Sequence, residues 1–151
     1  METFILSIDQ GTTSTRAILF DAAGAPRASY GVELRQYYPQ PGFVEHDPTE
    51  IIGSVYQCIH GVLEKADVSP QQIQAIGITN QRETVIAFDP QTGKPLLNAI
   101  VWQCRRSADI CAELRQDGMA STIKHKTGLV IDPYFTATKI QWIFENVPGA
   151  Y

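Results

Sequence analysis

Apolar and polar residues alternate along the chain with two different periods, which predict two kinds of secondary structure. Short apolar runs bounded by turn residues predict strands, whereas apolar residues three and four positions apart predict helices. The strands are expected at residues 4–8, 17–21, 28–34, 73–78, 85–88 and 99–102. The helices are expected at residues 48–66, from just after Arg106 to about Gln116, and at residues 119–126 and 135–146. This mixed order predicts an α/β domain.

The connections between these elements predict how the strands pair. Short turns join the first three strands, so we expect an antiparallel meander. Residues 35–46 are rich in proline, glycine and tyrosine and predict an extended loop, because proline interrupts helices and strand ladders alike. The apolar run at residues 73–78 predicts a strand that is buried on both faces. Because it follows a long helix, it should be parallel to an earlier strand.

The start of the long helix is signalled by three neighbouring residues. Asp47 is a good N-cap, Pro48 suits the first helical position, and Glu50 has the spacing of a capping box. The apolar positions that follow predict one buried helix face. These positions are Ile51, Ile52, Val55, Ile59, Val62 and Leu63.

A polar turn joins the first two strands and is a candidate phosphate site. The first strand ends in Asp9, and Gly11 allows unusual backbone angles and close approach of a ligand. Backbone N–H groups beside hydroxyls suit a phosphate, and a carboxylate could hold Mg²⁺ against it, directly or through water. The hydroxyls belong to Thr12, Thr13, Ser14 and Thr15. The alternative is an ordinary hairpin in which threonine and serine form the turn.

A second polar group lies where the strand at residues 73–78 ends, which is where open α/β sheets bind ligands. Arg82 can donate and Glu83 can accept, so the pair suits the hydroxyls of a polyol. Trp102 could form an apolar wall, and Tyr134 could add a hydroxyl. The alternatives are a solvated strand end, a core tryptophan and a loop tyrosine. Arg105 and Arg106 are interpreted as a charge pair at a helix start and not as a phosphate clamp.

Composition excludes several classes of function. The net charge of −4 and the absence of a basic run argue against nucleic-acid binding. No apolar segment approaches the roughly 20 residues that span a bilayer, and no secretory signal is recognised, so we expect no membrane partner. Cys58, Cys104 and Cys111 have no zinc spacing. A helical pattern holding the last two would keep them too far apart for a disulfide, which predicts reduced, packed thiols in a cytoplasmic protein.

Five blocks in register resemble the FGGY carbohydrate kinases over essentially the whole chain. They are DQGTTSTR at 9–16, PGFVEHDP at 41–48, GITNQRET at 77–84, NAIVWQCRR at 98–106 and TGLVIDPY at 127–134. The resemblance implies a truncated ribonuclease-H-like fold of the actin, Hsp70 and hexokinase type. Its mixed sheet would contain the three-strand meander with flanking helices. One departure is Val85, where the family usually has threonine, and we interpret it as a packing change.

The resemblance also implies roles for individual residues. Thr12, Thr13, Ser14 and Arg16 would contact the phosphates of ATP or ADP, and Asp9 would support Mg²⁺, through water. The remaining residues would hold glycerol, namely Arg82, Glu83, Trp102 and Tyr134. Residues 1–151 would be the N-terminal segment of the first of two domains, in a homo-oligomeric parent. The general-base aspartate and the adenosine pocket are expected beyond Tyr151, so this chain holds no catalytic residue by this comparison.

Three other interpretations remain open from the residues. Another sugar kinase of the same superfamily is the nearest, although Arg82, Glu83 and Trp102 favour a three-carbon polyol over a bulkier ketose by resemblance. A non-catalytic binding module is a second class. A ribonuclease-H-like nuclease is a third, but it needs several clustered carboxylates for two metals and only Asp9 is well placed.

Overall fold

The computed structural model describes residues 2–150 and confirms the mixed α/β class. The strands are β1 (Phe4–Gln10), β2 (Ser14–Asp21), β3 (Pro26–Glu33), β4 (Glu45–His46), β5 (Ile73–Asn80) and β6 (Ala99–Ile100). The helices are α1 (Pro48–Ala66), α2 (Ala108–Gln116), α3 (Ala120–Thr127) and α4 (Thr136–Asn146). The chain divides into two compact units, residues 2–35 with 47–81 and residues 36–46 with 82–150. No helix in this range is long and apolar enough to cross a membrane.

The first unit is a four-stranded sheet in the order β3-β2-β1-β5. Strands β1, β2 and β3 form the predicted antiparallel meander. Strand β5 pairs with β1 in the parallel direction, as predicted from the helix that separates them. The C-terminal ends of β1 and β5 therefore lie side by side, with Gln10 next to Asn80.

Helix α1 covers one face of the meander. Asp47 is its N-cap as predicted, because the Asp47 side chain accepts a hydrogen bond from the Thr49 backbone N–H at 2.7 Å. The Thr49 hydrogen bonds hold the pKa of Asp47 below its usual value. The apolar stripe of α1 packs on the buried side of the sheet, which contributes Phe4, Leu6, Ile8, Ala17 and Leu19. Ile52 belongs to the predicted stripe but is half exposed, so the buried face is narrower than expected.

Strand β5 corrects one prediction, that its apolar run is buried on both faces. Ile76 is 57% exposed and Ile78 is 72% exposed. Helix α1 packs on β1, β2 and β3, whereas β5 is the terminal strand of the described sheet. The apolar run therefore predicts the strand correctly, but no other part of the described chain covers Ile76 and Ile78.

We expect the isolated chain to self-associate through β5, because an unpaired apolar edge strand is a template for pairing with another copy. Ile78→Lys places a charge on that strand and should shift the chain toward monomer. Ile52→Lys adds the same charge at an exposed position of α1 and should have little effect. Light scattering over a range of concentrations checks this. A monodisperse wild-type monomer at high concentration would contradict it.

The second unit contains a two-stranded antiparallel sheet, in which Glu45 and His46 of β4 pair with Ile100 and Ala99 of β6. The sequence predicts a loop throughout residues 35–46, whereas the structure has the short strand β4 at the end of this segment. The prediction of a strand at residues 85–88 is wrong, because Val85 and Phe88 form only isolated β-bridges. The strand predicted at 99–102 is shortened to two residues. Short pairings of this kind depend on distant partners, which local patterns do not reveal.

The remaining helices of the second unit follow the predictions closely. Helix α3 is capped at its C-terminus by Gly128, whose φ of 75° is the left-handed conformation that glycine adopts without strain. The free, buried thiols of Cys58, Cys104 and Cys111 agree with the expected packing role. Burial raises the pKa of the Cys58 thiol. Cys104 lies before α2, however, so the helical pattern expected for it is wrong.

Candidate functional site

In the first unit, the turn predicted to bind phosphate connects β1 to β2. The Gly11 N–H donates to the Ser14 carbonyl at 2.9 Å, which closes the turn. The Leu34 N–H donates to the Thr13 carbonyl, also at 2.9 Å, and ties the turn to the end of β3. Backbone hydrogen bonds therefore fix the loop on both sides.

The structure corrects one of the two expectations for Gly11, that it adopts unusual backbone angles. Gly11 does not have a positive φ. A Cβ built on Gly11 would lie 3.0 Å from the Ser14 carbonyl oxygen, which is closer than ordinary contacts allow. Close approach of the backbone to itself, and not an unusual dihedral angle, therefore disfavours a side chain at this position.

Two buried polar contacts anchor the turn from beneath. The Thr15 hydroxyl is fully buried and lies 2.6 Å from the Ser54 hydroxyl of α1. Gln81 is also buried, and its side-chain amide donates to the Gln10 side-chain carbonyl at 3.3 Å. The sequence places the Thr15 hydroxyl among the phosphate ligands, but this contact corrects that assignment. Thr12, Thr13 and Ser14 retain partly or fully exposed side chains.

Strand pairing places Asp9 and Arg16 directly opposite each other across β1 and β2. Gly31 of β3 is opposite Arg16 on the other side, and Thr79 of β5 is opposite Asp9. Asp9 and Arg16 are both exposed. A polar cavity of about 830 Å³ is lined by Thr13, Ser14, Arg16, Ser29, Gly31, Val32, Glu33 and Leu34. A carboxylate and a guanidinium thus lie in one row beside the turn.

The donor set around Asp9 fits Mg²⁺ held mainly by phosphate oxygens. Among residues 2–150, no three histidine, cysteine, aspartate or glutamate side chains come together as a metal cluster. Mg²⁺ typically keeps several waters and uses one or two carboxylates together with substrate phosphates. One exposed carboxylate, Asp9, on the strand that leads into the turn is compatible with that arrangement.

In the second unit, Glu83 has an unusual backbone conformation. Its φ is 65°, a conformation that costs a residue with a side chain about 1–3 kcal/mol. It persists only where contacts with neighbouring groups offset that cost. Its Oε2 atom accepts hydrogen bonds from the N–H and the hydroxyl of Thr136, at 2.8 and 2.7 Å. Thr136 is the first residue of α4, whose N-cap residue provides no side-chain bond. Glu83 therefore caps α4 with one carboxylate oxygen.

Lys139 of α4 holds the backbone at the same place. Its side chain is fully buried, and Nζ donates to the Glu83 carbonyl at 3.1 Å and to the Tyr134 carbonyl. Burial lowers the pKa of Lys139 from its usual 10.5, while the negative charge of Glu83 opposes that shift. The sequence analysis missed Lys139. The sequence does hold a signal for it: Lys139 lies four residues before Ile143 in α4, so the two side chains share the buried face of that helix.

Aromatic contacts bring the other predicted polyol residues to the same region. The rings of Trp102 and Tyr134 have centroids 5.7 Å apart in an edge-to-face arrangement. The backbone N–H of Trp102 donates to the Thr84 hydroxyl at 3.3 Å, so Trp102 is also linked to the residue after Glu83. Tyr134 is 40% exposed, and Arg82 is exposed. Contacts therefore link Trp102, Tyr134 and the segment around Glu83, which come from three distant parts of the sequence.

Arg106 has a role that the sequence analysis did not predict. Its guanidinium is 2% exposed and lies 2.5 Å from the Glu45 carboxylate. Its central carbon is 4.1 Å from the centre of the Phe43 ring and 4.7 Å from that of Trp142. The interpretation as a helix-start charge pair is wrong for Arg106, which forms a buried ion pair between aromatic rings. Arg105 instead forms an exposed pair with Asp132 at 3.3 Å.

Comparison with known proteins finds relatives along nearly the whole chain. The chain is 55% identical over 150 residues to a glycerol kinase of Caldanaerobacter subterraneus, covering 99% of this chain and 30% of that protein. It is 57% identical over 149 residues to a glycerol kinase of Oceanobacillus iheyensis, with the same coverage of 99% and 30%. A crystal structure of Plasmodium falciparum glycerol kinase with ADP has a TM-score of 0.90 and 37% identity, covering 99% of this chain and 30% of that chain.

The chain therefore spans about 30% of the length of the curated relatives that it matches. Likeness to solved kinase structures along nearly its whole length confirms the predicted actin/hexokinase-type fold class. Residues 4–151 match the family model described as the N-terminal domain of the FGGY family of carbohydrate kinases. On this match the chain belongs to the FGGY family of carbohydrate kinases.

Proposed function

We propose that the whole protein carrying this segment transfers a phosphoryl group from ATP to glycerol, forming sn-glycerol 3-phosphate. The arrangement around Glu83 carries the proposal: its carboxylate is fixed through one oxygen by Thr136, two residues after Tyr134, whose ring contacts Trp102. The names of the relatives support the choice of glycerol among sugars and polyols. A cytoplasmic location belongs to the same proposal, and the free cysteines support it.

The polyol contacts are proposed as follows. Oε2 of Glu83 is used by Thr136, which leaves Oε1 as the oxygen that accepts from a glycerol hydroxyl. Arg82 donates to a neighbouring hydroxyl, and the exposed Tyr134 adds a further hydroxyl. Trp102 covers the carbon chain. A site with both hydrogen-bond donors and acceptors matches a polyol, because each hydroxyl can donate and accept a hydrogen bond.

The nucleotide contacts are proposed in the first unit. Thr12, Thr13 and Ser14 surround the phosphates of ATP with hydroxyl and N–H donors, and Arg16 adds positive charge. When bound, Mg²⁺ neutralises the charge that develops on the transferred phosphoryl group, and Asp9 would hold it through water. The solved glycerol kinase that contains ADP supports a nucleotide site in this fold.

Catalysis by these residues is positioning and charge stabilisation. Phosphoryl transfer needs the attacking hydroxyl and the leaving oxygen in line, and binding both partners in that geometry supplies much of the rate. Glu83 and Arg82 orient the hydroxyl, and Arg16 and the turn orient the phosphates. The base that accepts the hydroxyl proton is an aspartate expected outside residues 1–151, so we expect the isolated chain not to turn over glycerol.

A hybrid enzyme tests this proposal. Residues 1–150 replace the matching part of the Caldanaerobacter subterraneus glycerol kinase, and glycerol-dependent release of ADP is measured. We expect kcat/KM for glycerol to exceed that for gluconate or xylulose by at least about a hundredfold, which corresponds to about 2.7 kcal/mol. Preference for another sugar, or no phosphorylation by a folded hybrid, would overturn the proposal.

Gly11→Ala in the hybrid should weaken nucleotide binding selectively. The added methyl would lie 3.0 Å from the Ser14 carbonyl, so the turn must shift. We expect KM for ATP to rise about fivefold to tenfold, a cost of about 1–1.4 kcal/mol within the range of overpacking. Gly53→Ala is the control, because a Cβ built on Gly53 meets no neighbouring atom within 4 Å. An unchanged KM for ATP in Gly11→Ala would contradict a phosphate role for the turn.

A further inference from the structure

The first turn of α4 binds residue 83 in two ways. Thr136 donates to the side chain of Glu83, and Lys139 donates to its backbone carbonyl. Lys139 also donates to the carbonyl of Tyr134, just before the helix. One helical turn therefore determines where both the carboxylate and the tyrosine lie. These are two of the four side chains that we assign to glycerol.

A lysine is an expensive residue to use for packing alone. Its side chain is 0% exposed, and transfer of an ammonium group out of water costs several kcal/mol unless its contacts compensate. The charged groups around it are Glu83 and Asp132, with Cys104 and Cys111 also nearby. Its ring contact is Tyr134, whose centre lies 6.0 Å from Nζ. An apolar side chain of the same length would fill the space without that cost.

The carbonyl contacts explain what the charge supplies. Glu83 has a φ of 65°, a conformation that persists only where neighbouring groups hold it. An ammonium group bound to its carbonyl fixes the peptide plane that follows Glu83, and hence the direction in which the carboxylate leaves the backbone. The bond to the Tyr134 carbonyl holds the segment just before α4 to the same nitrogen. Lys139 itself is buried and does not face solvent.

We propose that Lys139 is a positioning residue for the polyol site, which sets Glu83 and Tyr134 in register with each other and does not contact the substrate. This inference rests on the proposed function. It differs from a purely structural role, because it requires glycerol recognition to depend on Lys139 when stability and nucleotide binding do not.

The test uses the hybrid enzyme with Lys139→Met, which keeps the length of the side chain and removes the ammonium group. We expect kcat/KM for glycerol to fall about tenfold, with KM for ATP within twofold and the melting temperature within a few degrees of wild type. Lys124→Met is the matched control, because Lys124 also donates to a backbone carbonyl, that of Gly128 at 2.7 Å, but on the exposed surface of α3. It should leave all kinetic constants unchanged.

Two further variants keep the test decisive. Lys139→Gln retains N–H donors for one carbonyl and should recover part of the lost kcat/KM; it also serves if Lys139→Met does not fold. Combining Lys139→Met with Glu83→Gln should cost less than the sum of the single changes, because residues in contact that act through one ligand are not additive. Additive losses, or equal loss of glycerol and ATP kinetics, would overturn the positioning role. A wild-type hybrid without glycerol turnover would instead overturn the proposed function itself.

Discussion

Glu83→Ala in the hybrid enzyme is expected to lower kcat/KM for glycerol about tenfold to a hundredfold, the effect of losing a charge-assisted hydrogen bond worth about 1.5–3 kcal/mol. The substitution removes the acceptor and leaves Arg82 with less compensation beside the ligand. KM for ATP should change little, because the proposed phosphate contacts belong to Thr12, Thr13, Ser14 and Arg16. Steady-state kinetics with each substrate varied separately measures both constants.

The structure adds a stability cost to this substitution that must be separated from the kinetic effect. Alanine at φ 65° loses the bonds to Thr136 and leaves α4 without its cap, which costs about 1 kcal/mol. Asp67→Ala is a control for the backbone, since Asp67 also has a positive φ, of 53°, at the end of α1. Thr136→Val is a control for the cap, because it keeps the carboxylate. If the folded Glu83→Ala variant keeps the wild-type KM and kcat for glycerol, Glu83 does not bind glycerol and has only a structural role.

Arg106→Met is expected to destabilise the second unit by about 3–5 kcal/mol, the typical cost of removing one partner from a buried ion pair. The substitution leaves the Glu45 carboxylate, whose side chain is 14% exposed, without its guanidinium. It also removes the cation that lies against the rings of Phe43 and Trp142. Urea denaturation of the purified chain, followed by tryptophan fluorescence, checks this, since Trp102 and Trp142 both belong to the second unit.

Two matched variants show whether burial is the cause. Arg105→Met removes the exposed pair with Asp132 and should cost at most about 1 kcal/mol, as surface ion pairs do. Adding Glu45→Gln to Arg106→Met removes the stranded charge and should recover part of the loss. Equal effects of Arg105→Met and Arg106→Met would show that Arg106 does not act as a buried ion pair.

Local patterns are sufficient for the elements whose stability comes from neighbouring residues. The meander is predictable because its strands are joined by short turns, and α1 because Asp47 and Pro48 mark its start. The parallel pairing of β5 follows from the helix that precedes it. Glu83, Trp102 and Tyr134 are selected from the sequence by position and resemblance, and the structure brings them together. Their roles toward glycerol stay predictions.

Long-range packing decided the rest, because it depends on which residues meet after folding. The sequence alone determined the meander, most of the helix boundaries and the residue types of both candidate sites. Only the tertiary structure turned the Thr15 hydroxyl toward Ser54, left Ile78 uncovered, and buried the charges of Arg106 and Lys139. A hydrophobic run shows which side chains a strand could bury, but the residues that cover them come from elsewhere in the chain. A charged side chain likewise looks exposed in a sequence until its counter-charge or carbonyl partners are in place.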